Sequence, residues 1–260
     1  MTLDELAPAM DAAGPATGAG EPAAGAGQPP DVAREIFGAA LPLAVRYAAM
    51  LAGPAVVRGL VGPREAGRLW DRHLLNCAVI AEFVPSPSTL LDIGSGAGLP
   101  GIVLAMLLPD VQVTLLEPMA RRVTFLEECV AELGLGNVSV VRQRAEEAHG
   151  QLRADVVTAR AVAPLDRLAG LTVPLVRPGG MVLAVKGARA AAEAAAARPV
   201  LRQLGVRDVS VLRAGTDLID PPATVIRLII DPKAGKRPAA GGKPGASAGS
   251  RRRRSGGARG

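Results

Sequence analysis

The chain has 260 residues, 49% of them hydrophobic and 2% aromatic, enough to bury the core of one large or two small domains. Its two cysteines, Cys77 and Cys129, are too few for a disulfide framework and lack metal-ligand spacing, which points to buried thiols, a reducing compartment and no metal. Net charge is +6, but nine basic residues and no acid lie after Asp231, so the span 31–231 is nearly neutral and the basic balance belongs to the tail.

Residues 1–30 are rich in Ala, Gly and Pro without apolar periodicity, and 232–260 is a basic low-complexity tail; both read as disordered. Asp4 and Glu5 stand where a secretory signal carries basic residues. The longest uncharged run, Ile93–Pro109, is broken by glycines and Pro100, so no membrane span is expected and the location is cytoplasmic. From 31 to 88 the pattern is helical: Val32–Phe37, Leu43–Leu51 and a longer segment, Arg64–Phe83, with Trp70, Leu74, Cys77 and Ala81 at three- and four-residue spacing. This is an N-terminal helical subdomain.

From 89 to 231 the period alternates. Short apolar runs at Thr89–Ile93, Val111–Leu116, Val138–Val141, Val156–Thr158 and Met181–Val185 read as strands. Helical stretches at Pro100–Leu108, Arg121–Leu133, Leu165–Val176 and Ala188–Leu204 separate or follow them. That alternation implies an α/β fold with a doubly wound, mostly parallel sheet, which Val209–Leu212 and Thr224–Ile230 close as an antiparallel pair.

The chemistry gathers at the end of the first strand. Leu91-Asp-Ile-Gly-Ser-Gly-Ala-Gly-Leu-Pro-Gly101 is a strand running into a glycine loop that opens a helix, and Glu117 ends the next strand, where an acid can accept from both hydroxyls of a ribose. A nucleoside-containing cofactor follows. Gly96-Ala-Gly-Leu-Pro-Gly101 also satisfies the dinucleotide pattern, but Pro100 removes an N–H where a pyrophosphate needs donors and Asp92 puts a carboxylate beside the loop. S-adenosylmethionine has no phosphate and carries a sulfonium and an ammonium, which an acid attracts. An NAD-dependent oxidoreductase and a non-catalytic RNA-binding module with a degenerate pocket are the competing readings; only about 45 residues follow Lys186 before the tail, too few for a substrate domain.

Asp92–Gly101, Thr114-Leu-Leu-Glu117 running into Arg121-Arg-Val-Thr-Phe-Leu126, Arg144-Ala-Glu-Glu147, Ala159-Arg-Ala161 and Val185-Lys-Gly187 resemble the ribosomal RNA small subunit methyltransferase G family, also called glucose-inhibited division protein B. The resemblance spans about Arg64 to Ile230. It implies a Rossmann-like methyltransferase sheet, S-adenosylmethionine as cofactor, 16S rRNA or the small ribosomal subunit as partner, and methylation of guanine N7 at guanosine 527 in the 530 loop. It places cofactor contacts on Gly94, Leu99, Ala145, Glu146 and Arg160, which join Asp92, Gly96, Gly98 and Glu117 from the loop reading. Ala145 and Glu146 would face the adenine. Many members carry Trp-Asn and Asn-Leu-Thr segments ahead of the Arg72-His73 pair, where this chain reads Leu51-Ala-Gly-Pro-Ala-Val-Val-Arg58. Arg72, His73, Arg121, Arg122 and Lys186 are RNA-binding candidates; no residue is assigned as catalytic acid or base. His149 lies in no motif and reads as surface, and Trp70 and Phe125 read as core.

Overall fold

A computed structural model describes residues 26–160 and 162–234. Of the segments expected to be disordered, 1–30 and 232–260, residues 1–25 and 235–260 lie outside the described residues. The described ends are instead tied down, since Ala26 is buried in the core, Trp70 Nε1 donates to the Gly27 carbonyl at 3.3 Å and Ala234 packs against the core.

The N-terminal helices are α1 (Asp31–Phe37), α2 (Leu41–Ala52), α3 (Pro54–Val57) and α4 (Leu75–Ala78). The stretch Asp31–Val57 passes, by length and composition, for a membrane-crossing helix. A scan for uncharged runs overlooks it because Arg34, Glu35 and Arg46 interrupt it. Its buried face, Ala33, Phe37, Ala44, Tyr47, Ala48, Leu51 and Ala55, belongs to the hydrophobic core, and Phe37 meets Trp70 edge to face at 6.2 Å. The region from 63 to 83 is not one regular helix. It runs as a 3₁₀ segment (Pro63–Arg68), a π turn (Trp70–Leu74), α4 and a second 3₁₀ segment (Val79–Phe83). The π turn holds Arg72 and His73, and such wide turns gather at functional sites.

The sheet follows: β1 (Ser88–Ile93), α5 (Gly101–Leu107), β2 (Val111–Leu116), α6 (Ala120–Leu133), β3 (Val138–Val141), α7 (Ala145–Ala148), β4 (Ala154–Arg160), α8 (Leu165–Thr172), β5 (Val176–Lys186), α9 (Ala190–Gln203), β6 (Val206–Ala214) and β7 (Ala223–Ile230). Strand order is β3-β2-β1-β4-β5-β7-β6. The first five strands are parallel, while β7 pairs antiparallel with both β5 and β6. The closing pair is therefore present, with the later strand inserted between β5 and the edge strand β6. Successive residues face opposite layers: Leu90 packs with the N-terminal helices, α5 and α6, and Leu91 with α8 and α9. Burial on both faces is what makes the strands read as near-continuous apolar runs.

Candidate cofactor and RNA site

β1 and β4 are neighbours at the point where the strand order turns, and the cleft beyond their carboxyl ends is where sheets of this kind bind ligands. The glycine loop fills the near side. The Gly94 and Ser95 N–H groups donate to the Leu116 carbonyl at 2.8 and 3.3 Å, which ties the loop to the end of β2. Gly94, Gly96 and Gly98 adopt φ of 65°, 61° and 99°, conformations glycine reaches without a side-chain penalty.

The donors at the start of α5 are consumed within the protein. Gly98 and Leu99 N–H donate to Ser95 O, Gly101 N–H to Asp92 Oδ2 at 3.1 Å, and Ile102 N–H to Gly98 O, while Pro100 has no N–H to give. A pyrophosphate needs those N–H groups. The residues present fit a nucleoside carrying a positive charge: Glu117 is buried at the end of β2, accepting from Gly96 N–H and Met119 N–H at 3.0 Å each, and a carboxylate with about four acceptor sites keeps capacity for ribose hydroxyls. Ala145 is buried and Glu146 exposed in α7, a short helix after β3.

Asp92 lies beneath the loop instead of facing the cleft. It is 1% exposed, and its oxygens accept from Gly101 N–H and from the Thr158 hydroxyl at 3.0 Å. Burial pushes its carboxyl up to about 6, against the opposing pull of those hydrogen bonds. Through these two bonds it clamps the loop to β4 from beneath.

Arg160 ends β4 and turns toward the helical subdomain. Its guanidinium donates to Cys77 Sγ at 3.1 Å, to the Arg72 carbonyl at 3.4 Å and to His73 Nδ1. Because arginine only donates, Nδ1 accepts, and the ring proton on Nε2 goes to Glu65 Oε2 at 2.8 Å. Burial and the Arg160 charge both lower the His73 pKa, so the ring is neutral at pH 7. The bond to His73 also holds Glu65 below the usual carboxylate range.

Several candidate RNA contacts are engaged by the protein. His73 is half-buried between Arg160 and Glu65, and Arg72 is exposed with Glu65 at 3.4 Å. Arg122 Nη1 sits 3.5 Å from Glu117 Oε2, whereas Arg121 is exposed. Lys186 is 10% exposed and bonded to Ala163 O and Glu193, so it does not reach into solvent toward RNA. His149 is half-buried, its Nε2 bonded to Leu171 O, rather than a surface residue. Trp70 and Phe125 are core, as expected. The divergent Leu51–Arg58 segment packs against α6, with Arg58 over the Phe125 ring at 5.8 Å and paired with Glu128 at 2.8 Å.

Sequence reasoning missed Tyr47, Thr158, Glu65 and Glu193. Tyr47 is fully buried in α2 and donates to the Ala97 carbonyl at 2.7 Å, clamping the glycine loop from the helical side. The signal available was rarity, since it is the only tyrosine.

A family described as rRNA small subunit methyltransferase G matches residues 40–219. The ribosomal RNA small subunit methyltransferase G of Thermobifida fusca is 56% identical over 200 residues, 77% of this chain and 84% of that protein. Its counterpart in Nocardioides is 56% identical over 201 residues, 77% and 80% of the two chains, and that of Streptomyces coelicolor is 52% identical over 229 residues, 87% and 96%.

Proposed function

The chain belongs to the ribosomal RNA small subunit methyltransferase G family, and from that premise we propose that it methylates guanine N7 of guanosine 527 in the 530 loop of 16S rRNA. Its activity is that of an S-adenosylmethionine-dependent methyltransferase. When bound, S-adenosylmethionine supplies an electrophilic methyl on a sulfonium. The residues that would hold it are Gly94, Gly96, Gly98 and Leu99 along the loop, Glu117 at the ribose, Ala145 and Glu146 at the adenine, and Arg160 at the far wall.

One observation carries this cofactor assignment: every N–H from Gly98 to Ile102 is bonded inside the protein, while Glu117 and Asp92 place negative charge around the loop. That environment repels a dinucleotide phosphate and favours a cation. Guanine N7 has an in-plane lone pair and no proton, so the chain has no proton to remove. Its task is alignment and electrostatics. A cation bonded to N7 would occupy the nucleophile, so a basic side chain at the base belongs on O6 or a phosphate.

The test is to incubate small subunits from cells lacking the modification with the protein and S-adenosylmethionine, then cleave at N7-methylguanine by reduction and aniline. Cleavage at guanosine 527 is expected. Cleavage elsewhere overturns the position, and no methyl incorporation favours the non-catalytic reading.

A further inference from the structure

Two side chains outside the cofactor contacts hold the loop between β4 and α8. Lys186, at the end of β5, is 10% exposed and donates to the Ala163 carbonyl at 2.7 Å and to Glu193 Oε2 at 2.8 Å. Glu193, in the first turn of α9, also accepts from the Leu165 N–H at 3.2 Å. That N–H opens α8, whose cap residue Pro164 makes no side-chain cap, so Glu193 caps this helix from a neighbouring one. The Lys186 ammonium in turn holds the Glu193 carboxyl below its ordinary range. The loop is thus pinned on both sides of Pro164.

What the pins hold in place adjoins the cofactor loop. Val162, just ahead, is 39% exposed, and its Cγ2 lies 3.3 Å from where a Cβ on Gly94 would stand. Residues 162–164 therefore follow β4 at the point where the sheet order turns, with Val162 against the glycine loop that follows β1. An acceptor base entering the cleft beyond β1 and β4 would meet this segment.

We propose that Glu193 is a positioning residue for methyl transfer: through Lys186, Ala163 and Leu165 it fixes the wall at 162–164 against which the target guanine is aligned. The inference rests on the methyltransferase reading above. Alignment is the main thing N7 attack asks of the protein, and a shift of about 1 Å in a positioning element can lower rates by roughly a hundredfold.

The full chain carrying Glu193→Ala, Glu193→Gln or Lys186→Met is assayed on unmodified small subunits, with S-adenosylmethionine affinity by calorimetry and folded fraction by thermal unfolding. Glu193→Ala should lower kcat by about tenfold to a hundredfold while leaving cofactor affinity and KM for the subunit within about threefold. Glu193→Gln keeps an acceptor for the Leu165 N–H and should lose less. Glu193→Ala combined with Lys186→Met should lose little more than the worse single variant, as expected of one linked unit. A purely structural role would lower the unfolding temperature and leave kcat of the folded enzyme unchanged, which overturns the proposal. Cofactor affinity falling in step with kcat would put the loop on the cofactor side and overturn it too. A wild-type chain without activity on rRNA would bring down the underlying reading, and shows itself before any variant is made.

Discussion

Replacing Asp92 with asparagine removes a charge from a buried acidic position beneath the glycine loop and should change how stability depends on pH. The side chain can keep both bonds: its carbonyl oxygen accepts from Gly101 N–H, and its amide donates to Thr158 Oγ1 in place of the present hydroxyl-to-carboxylate bond. In the wild type, burial raises the carboxyl from 3.8 to about 6. The folded chain therefore holds this proton more tightly than the unfolded one. Stability from the group is fully present below about pH 4 and is lost as pH rises through about 6, a total of roughly 3 kcal/mol at 1.36 kcal/mol per unit. About 1 kcal/mol is already gone at about pH 4.5, and about 2 kcal/mol falls between there and about pH 7.5. Asparagine has no proton to lose. In urea unfolding at those two pH values, the stability of Asp92→Asn relative to wild type should improve by about 2 kcal/mol from the lower to the higher. A difference that stays constant across the two would refute the reasoning, since it would mean that the carboxylate is not destabilised by its site.

Glu117→Ala leaves Gly96 N–H and Met119 N–H without their acceptor and, if Glu117 holds the ribose, two hydroxyls as well; S-adenosylmethionine affinity should fall about tenfold to a hundredfold, or roughly 1–3 kcal/mol, in calorimetry. Unchanged affinity would remove Glu117 from the cofactor site. Gly98→Ala would put a Cβ 2.5 Å from Ile102 Cδ1 and 2.8 Å from Tyr47 Oη at a φ of +99°, and should destabilise the chain by about 2–4 kcal/mol in urea unfolding; wild-type stability would show that the loop relaxes freely. A chain ending after Ala234, which packs against the core, should keep its fold and cofactor affinity but lose rRNA affinity at low salt, each lost phosphate contact reducing the salt slope by roughly 0.7–0.9. Equal salt slopes would leave the tail without an RNA role.

What the sequence alone determined is whatever a short stretch of chain decides for itself. Strand and helix order is legible because burial on both faces leaves apolar runs and burial on one leaves a 3.6-residue stripe, so β1 to β4 and α5, α6, α8 and α9 emerge within a few residues of their ends. By contrast, β5 starts at Val176, ahead of its apolar run at Met181–Val185, because Arg177, Pro178 and two glycines interrupt the pattern. The glycine loop and Glu117 are legible for the same reason, since a strand, a turn needing positive φ and an acid one strand later are all local signals. The irregular run from 63 to 83 is not, because a helical stripe looks alike whether the backbone winds as 3₁₀, α or π. Nor is the fate of individual charges. Arg160 meets Cys77 across 83 positions, Asp92 meets Thr158 across 66 and Tyr47 meets Ala97 across 50. Such pairings have no spacing rule; they exist only once helices and sheet are packed, and packing decides whether an arginine or lysine at the cleft is left for RNA or already bonded to its own protein. Lys186 is the clearest case: a strand-end cation looks solvated in the sequence, and only the close approach of α9 and the β4–α8 loop surrounds it with acceptors.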